Sequence, residues 1–162
     1  MTHPPIIQIV GYKNTGKTTL ILRLIAELRA RGYRVGTAKR DAHDFEIDHE
    51  GRDTWRHYEA GADAVAITSA GRSALIRRAP ATLEQLASAM PEVDLVLAEG
   101  FKTSPYAKIV LYTNDADRDE LCGTLTGVFA AGTMHETERL ILELLAKADE
   151  LGIAPSGRSA AP

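Results

Sequence analysis

Residues 6–20 read IIQIVGYKNTGKTTL, and the order of features in this stretch decides the fold. The apolar run Ile6–Val10 has the length and β-branched composition of a buried strand. Gly11 follows at once, and a helical pattern opens near Lys17, with leucines at positions 20, 24 and 28 on one face. A third segment, residues 34–39, is predicted to be a strand. Strand, helix and strand in this order predict a parallel βαβ unit.

The turn between the first strand and the helix, residues 11–18, matches the pattern G-x-x-x-x-G-K-[ST]. Its glycines allow successive backbone N–H groups to face a phosphate, and the helix adds the positive end of its dipole. Lys17 is expected to reach the β- and γ-phosphates, and the Thr18 hydroxyl to ligate Mg²⁺. Lys13 is either solvated or reaches a phosphate, including one bound to a facing subunit. The predicted nucleotide-binding residues of this P-loop are Gly11, Lys13, Asn14, Thr15, Gly16, Lys17, Thr18 and Thr19.

A P-loop needs a carboxylate from a neighbouring strand to hold the metal ion. The segment VDLVLAEG, residues 93–100, offers Asp94 at the start of a predicted strand and Glu99 at its carboxyl end. Ligands of open α/β sheets bind beyond the carboxyl ends of the strands. Glu99 is therefore the predicted metal ligand and catalytic carboxylate, with Gly100 beside the γ-phosphate, and Asp94 is predicted to be a surface acid.

A polar stretch, residues 40–52, follows the second strand and emerges at the same edge of the sheet. Asp41, His43, Asp44 and Asp48 could supply a second carboxylate for Mg²⁺ or a group that orients attacking water, and Asp44 is the candidate catalytic residue among them. The alternative interpretation is a solvated loop. The three histidines at positions 43, 49 and 57 fit no common metal-ligand spacing.

The alternation of strands and helices predicts an α/β fold of the P-loop NTPase type, a mostly parallel twisted sheet flanked by helices. Strands are also predicted at residues 64–68, 74–77, 108–112 and 125–130, with a small β-rich excursion around residues 64–78. Capping boxes at Thr82 and Thr133 predict two further helices, and Asp53 is predicted to cap a short one. Residues 1–153 are expected to form a single nucleotide-binding domain, and residues 154–162 a disordered tail.

Composition excludes several classes of function. The 162 residues are 44% hydrophobic and carry a net charge of −3, so no global basic field exists for nucleic acid or an anionic membrane surface. The single cysteine, Cys122, can form neither an intrachain disulfide nor a multi-cysteine metal site. No apolar run approaches the roughly 18 residues of a membrane span, and no signal-type core opens the sequence. We expect a cytoplasmic protein.

Several segments in a fixed order resemble a known family. They are GYKNTGKTTL at residues 11–20, HDFEID at 43–48, GRD at 51–53, AGA at 60–62 and LAEGFK at 97–102. Together they resemble the molybdopterin-guanine dinucleotide biosynthesis protein B family. The resemblance implies a GTP-binding protein with weak, Mg²⁺-dependent GTPase activity that forms a homodimer. It also implies a partner, the molybdenum cofactor guanylyltransferase (protein A of the same pathway), which attaches GMP to molybdopterin.

The resemblance also implies a flap beside the site that contacts substrate or partner, made of His43, Asp44, Asp48, Phe101 and Lys102. Molybdopterin itself is a further candidate ligand. The chain departs from the family where a late strand ends in FAAG, residues 129–132, in place of a Ser-Asp pair near the guanine base. Asn114 and Asp115 offer a weak substitute for that pair.

Two other functions stay open at this point. One is an adapter whose bound nucleotide orders a surface for partner proteins without useful hydrolysis. The other is a small-molecule kinase built on the same loop. Such kinases usually carry an arginine-rich lid, and Arg77 with Arg78 is little evidence for one.

Overall fold

The computed structural model describes residues 3–41, 45 and 47–156. The chain divides into two compact units, one formed by Met1–Arg40 with Leu83–Pro162 and the other by Asp41–Thr82. The first unit carries a five-stranded sheet and the second a two-stranded hairpin.

Seven strands are present in the described residues. They are β1 (Ile6–Val10), β2 (Val35–Lys39), β3 (Ala64–Thr68), β4 (Ser73–Arg77), β5 (Leu95–Glu99), β6 (Ala107–Leu111) and β7 (Val128–Gly132). The sheet of the first unit has the order β2-β5-β1-β6-β7, and every neighbouring pair in it is parallel. The predicted α/β class with a mostly parallel sheet is confirmed.

The helices are α1 (Lys17–Ala30), α2 (Asp53–Glu59), α3 (Leu83–Ser88), α4 (Asp115–Thr124) and α5 (Thr137–Ala146). A single 3₁₀ turn, Met134–Glu136, precedes α5, and the predicted capping box between Thr133 and Glu136 is formed at its start. No helix in the described part of the chain is both long and apolar enough to cross a membrane.

Helix α4 was not predicted, because its sequence DADRDELCGT buries only Leu121 and so shows no apolar periodicity. Its start is a side-chain cap, in which the Asn114 side chain accepts a hydrogen bond from the Asp117 N–H at 2.9 Å. The following strand, predicted at residues 125–130, lies at Val128–Gly132 instead.

The two faces of the sheet bury different cores. Alternate residues such as Ile9, Leu97 and Ile109 pack with leucines of α1 and α5. On the opposite face, Ile6, Val96 and Ala98 pack with Leu83 and Ala87 of α3, and with Phe101. Because β1 and β5 are buried on both faces, their sequences are apolar runs rather than alternating patterns.

In the second unit, β3 and β4 pair antiparallel, and α2 precedes them. The Arg78 guanidinium donates to the Tyr58 carbonyl and lies 3.8 Å from the centroid of that tyrosine ring, so it satisfies the carboxyl end of α2. The prediction that Asp53 caps this helix is wrong. Arg52 occupies the N-cap position without a side-chain cap, and Asp53 lies in the first turn, where its charge favours the helix dipole.

The packing of α1 predicts unequal effects for two leucines in the same helix. Leu24 is fully buried, whereas Leu22 is 63% exposed. Leu24→Ala is expected to lower the free energy of unfolding by about 3 kcal/mol through lost burial and a residual cavity. Leu22→Ala, the matched control, is expected to change it by less than about 0.5 kcal/mol. Urea denaturation followed by circular dichroism measures both, and equal losses would contradict the assigned helix face.

Candidate nucleotide-binding site

The loop between β1 and α1 is shaped by close backbone approaches. A Cβ atom at Gly11 would collide with the Leu111 carbonyl oxygen and lie 2.6 Å from the Thr15 hydroxyl, so only glycine fits there. Asn14 and Gly16 have φ values of 66° and 90°, in the left-handed region that glycine and asparagine tolerate best. Two such residues, with one between them, curl the backbone in the way that forms anion-binding loops.

The loop is tied to itself through one carbonyl group. The Lys17 ammonium donates to the Tyr12 carbonyl at 2.6 Å, and the Thr15 hydroxyl donates to the same oxygen at 3.0 Å. Thr15 is only 3% exposed, so its hydroxyl serves the loop from within. Helix α1 begins directly at Lys17 with no side-chain cap, which leaves its first N–H groups without such a partner. Curled backbone, helix start and ammonium together form a site suited to an anion.

The predicted metal ligands come together from distant parts of the sequence. The Thr18 hydroxyl lies 3.3 Å from Glu99 Oε2, although 81 residues separate them. Glu99 is the last residue of β5, and its carbonyl accepts a hydrogen bond from the Arg40 N–H at 2.9 Å. Gly100 follows with a φ of 87°, and a Cβ there would collide with the Arg40 carbonyl oxygen. A hydroxyl and a carboxylate at this separation are oxygen donors of the kind that suits Mg²⁺.

These residues surround a cleft of about 440 Å³, within the range of small-molecule sites. Its lining residues are Lys13, Asn14, Gly16, Lys17, Thr18, Thr19 and Glu99. Gly11 and Thr15 shape the loop from behind, and Gly100 continues from Glu99. The structure therefore brings the predicted phosphate loop and the predicted carboxylate to one cleft, while the nucleotide roles of these residues stay predictions.

Tyr12 was not singled out from the sequence, and it connects the loop to two other segments. Its hydroxyl donates to Glu120 of α4 at 2.5 Å, and the Lys102 ammonium lies 5.2 Å from the centroid of its ring. The hydrogen bond to Glu120 raises the pKa of Tyr12 above its usual value. A tyrosine inside a phosphate loop gives no sequence signal for such a link, because its partners lie about 90 to 110 residues away.

Asn114 and Asp115, considered as a substitute for the Ser-Asp pair near the guanine base, have other partners, and the Asp115 carboxylate pairs with Arg118 at 2.9 Å. The Asn114 amide group donates to the Asp117 carboxylate at 2.9 Å while its carbonyl caps α4. After β7, the Glu136 carboxylate accepts hydrogen bonds from the Thr133 N–H at 2.8 Å and from Arg139. The hydrogen bond from the Thr133 N–H contributes most to lowering the pKa of Glu136, and the one from Arg139 contributes next. The polar side chains at both strand ends are thus engaged in capping.

The predicted flap is only partly described. His43 and Asp44 lie outside the described residues. Asp48 belongs to the second unit, where its carboxylate accepts a hydrogen bond from the His49 N–H at 2.9 Å. Phe101 is 9% exposed within the core beside α3. Across the described ranges, no group of three or more histidine, cysteine, aspartate or glutamate side chains is placed to hold a metal ion. The flap remains a prediction.

Comparison with known proteins agrees with the loop and strand arrangement. A family model described as molybdopterin guanine dinucleotide synthesis protein B matches residues 6–131. The chain belongs to this family. The match includes the phosphate loop, Glu99 and the hairpin, so it covers every segment that carried the resemblance.

Relatives in this family come from several bacteria. The chain is 41% identical over 115 residues to the molybdopterin-guanine dinucleotide biosynthesis adapter protein of Haemophilus influenzae, covering 68% of this chain and 65% of that protein. It is 40% identical over 118 residues to the protein of the same name from Escherichia coli, covering 69% and 67%. The matched region thus spans about two thirds of the length of these two relatives.

Solved structures share the fold. A crystal structure of a MobB homolog from Bacillus stearothermophilus matches with a TM-score of 0.71 and 25% identity, covering 90% of this chain and 99% of that one. Bacillus subtilis MobB matches with a TM-score of 0.63 and 33% identity, covering 78% and 76%. These matches confirm the predicted P-loop NTPase-like fold.

The close approach of the Leu111 carbonyl to Gly11 predicts that a side chain at position 11 destabilises the fold. Gly11→Ala is expected to lower the free energy of unfolding by about 2 kcal/mol, because the new Cβ meets a backbone carbonyl that cannot rotate away. Gly123→Ala is the matched control, since no atom lies within 4 Å of the added Cβ in α4. It is expected to stabilise by about 0.5 kcal/mol through helix propensity. Urea denaturation of both variants tests the difference, and an unchanged Gly11→Ala would contradict the close approach.

Proposed function

We propose that this chain is an adapter protein of molybdopterin guanine dinucleotide biosynthesis that binds GTP with Mg²⁺ at its phosphate loop. In this role it assists a guanylyltransferase in attaching GMP to molybdopterin. The observation that carries the proposal is the joint placement of Lys17, Thr18 and Glu99 at one cleft. The names of its relatives support the pathway.

The chemistry of the cleft supports a triphosphate ligand. Lys17 supplies a mobile positive charge at the helix start, and the curled loop supplies backbone N–H groups, so phosphate oxygens find donors on several sides. Thr18 and Glu99 would hold Mg²⁺, which when bound neutralises phosphate charge and orients the terminal phosphate.

We expect hydrolysis of the bound triphosphate to be slow. Among the described residues, Glu99 is the one carboxylate that lines the cleft, and as a metal ligand it is not free to activate water. A site that binds the triphosphate but lacks a positioned base hydrolyses it slowly. This fits an adapter whose bound nucleotide orders a surface for partners. The partners that we propose are a second copy of the chain, in a homodimer, and the guanylyltransferase.

Calorimetric titration with non-hydrolysable GTP and ATP analogues, each with Mg²⁺, tests this proposal directly. The wild-type chain is expected to bind the GTP analogue more tightly. Lys17→Ala is expected to weaken binding about 100-fold, because a charge-assisted contact to the triphosphate is lost.

Lys147→Ala is the control for loss of one lysine charge, since its ammonium pairs with Glu150 at 2.8 Å on the surface. Its affinity is expected to equal that of the wild type. Binding that survives Lys17→Ala would contradict the site. Equal affinity of the wild type for both analogues would contradict the assignment to GTP alone.

Glu99→Gln tests the metal site separately from the phosphate loop. The amide keeps the size of the side chain but loses the charge, so the Mg²⁺ dependence of triphosphate binding is expected to fall by about tenfold. Slow GTP hydrolysis, followed by phosphate release with and without the guanylyltransferase, is expected to fall as well. Unchanged Mg²⁺ dependence would move the metal ligand to another carboxylate. The thermal midpoint of the variant, measured in parallel, verifies that it folds.

A further inference from the structure

The connection between β5 and β6 is unusually short for the path it must follow. Both strands pair in parallel with β1, one on each edge, so the chain must cross β1 to pass from one to the other. Parallel crossovers usually need a dozen or more residues and contain a helix. Here the connection is only residues 100–106, without a helix. We call this segment the strap.

A strap without a helix satisfies little of its own backbone. The Phe101 carbonyl accepts a hydrogen bond from the Ser104 N–H at 3.0 Å, and side chains of the sheet below supply further donors. Gln8 of β1 is 1% exposed, and its amide N–H donates to the Phe101 carbonyl. Lys108 of β6 is also 1% exposed, and its ammonium donates to the Ser104 carbonyl at 2.6 Å and to the Tyr106 carbonyl at 2.8 Å.

The Gln8 and Lys108 side chains are neighbours on one face of the sheet. Gln8 and Lys108 are register partners on adjacent parallel strands, so both project from the same face of the sheet. That face is the one on which Phe101 packs with Ile6 and Val96. The strap is therefore held at Phe101, Ser104 and Tyr106, from its first turn to its last residue.

Gln8 and Lys108 are polar side chains at fully buried positions of the sheet. A buried lysine usually pairs with a carboxylate, yet the Lys108 ammonium donates to two neutral carbonyls. Burial lowers its pKa. Gln8 Oε1 has no hydrogen-bond donor among the described residues. Burial of such groups costs free energy unless they are hydrogen-bonded, and the hydrogen bonds that they form here are with the strap.

We propose that Gln8 and Lys108 are positioning residues that hold the strap and, through it, orient Glu99 and Gly100 toward the terminal phosphate and metal of a bound nucleotide. This inference rests on the proposed function, because it assigns the two residues to the same site. The mechanical link is short, since Gly100 is both the first residue of the strap and the neighbour of the proposed metal ligand. Gly100 has a φ of 87° and lies against the Arg40 carbonyl, so movement of the strap displaces it directly.

Near-isosteric apolar variants, Lys108→Met and Gln8→Met, test the inference. Leu144→Ala in α5 is the control, because it destabilises the opposite core without touching the strap. Hydrogen exchange measured by mass spectrometry on the nucleotide-free proteins reports on the strap itself. Both methionine variants are expected to exchange faster in residues 100–106, whereas Leu144→Ala is expected to leave exchange there close to that of the wild type.

Calorimetry on the same proteins then separates positioning from stability. Each methionine variant is expected to bind the Mg²⁺ complex of the GTP analogue about tenfold more weakly and GDP about as well as the wild type, since Glu99 and Gly100 serve the terminal phosphate. Leu144→Ala is expected to keep both affinities.

Unchanged exchange in the strap of both methionine variants would overturn the inference. So would equal losses of affinity for GTP analogue and GDP, or the same pattern in Leu144→Ala. Failure of the proposed function is distinguishable, because it is shown by wild-type protein that binds neither nucleotide. The inference alone fails when the wild type binds and the variants bind identically.

Discussion

Strand β1 is hydrogen-bonded in parallel to β5 on one edge and to β6 on the other, and the site depends on this pairing. Parallel neighbours end at the same edge of a sheet, so the phosphate loop after β1 meets Glu99 at the end of β5 and Leu111 at the end of β6. The Leu111 carbonyl leaves no room for a side chain at position 11. The pairing therefore selects glycine at the first position of the loop.

The same pairing makes the two faces of the sheet unequal. On one face, α1 and α5 cover the strands with leucine and isoleucine side chains, and each helix satisfies its own backbone. On the other face, α3 and Phe101 of the strap pack against the strands. A strap brings unpaired carbonyl groups to the sheet, and buried polar groups must be paired. The second face therefore combines an apolar core beside α3 with two buried polar side chains, Gln8 and Lys108, beneath the strap.

Much of this arrangement could be predicted from the sequence because its signals are local. Each signal is contained in a short stretch of sequence. The signals are the apolar run before Gly11, the leucine spacing after Lys17, and Glu99 directly after the predicted strand at 93–98. The rest depends on contacts between distant residues. The sequence suggested that Asn114 lies near the guanine base, but Asn114 caps α4. That helix was not predicted because it has only one buried side chain, Leu121. The Tyr12 hydroxyl meets its acceptor, Glu120, only when α4 is in place.

The burial of Lys108 shows most clearly what a local sequence pattern cannot predict. In the run AKIVL a lysine predicts a strand with one solvated position, since lysine is almost never fully buried. It is buried because the strap lies over it, and nothing near position 108 in the sequence indicates that crossing. A methionine would fill the same volume without the cost of desolvating an ammonium group, but it would leave the Ser104 and Tyr106 carbonyls without their donor.

The lowered pKa of Lys108 gives this cost a direction. The unfolded chain binds the lysine proton more tightly than the folded chain does. Protonation at this position therefore opposes folding at neutral pH, and its contribution becomes less unfavourable as the pH rises from the lowered pKa toward the ordinary lysine value of about 10.4. An interaction that opposes folding is not explained by stability alone. The strap that Lys108 holds begins beside Glu99, at the cleft. In our proposal, the buried ammonium fixes the strap and thereby the position of the Glu99 carboxylate.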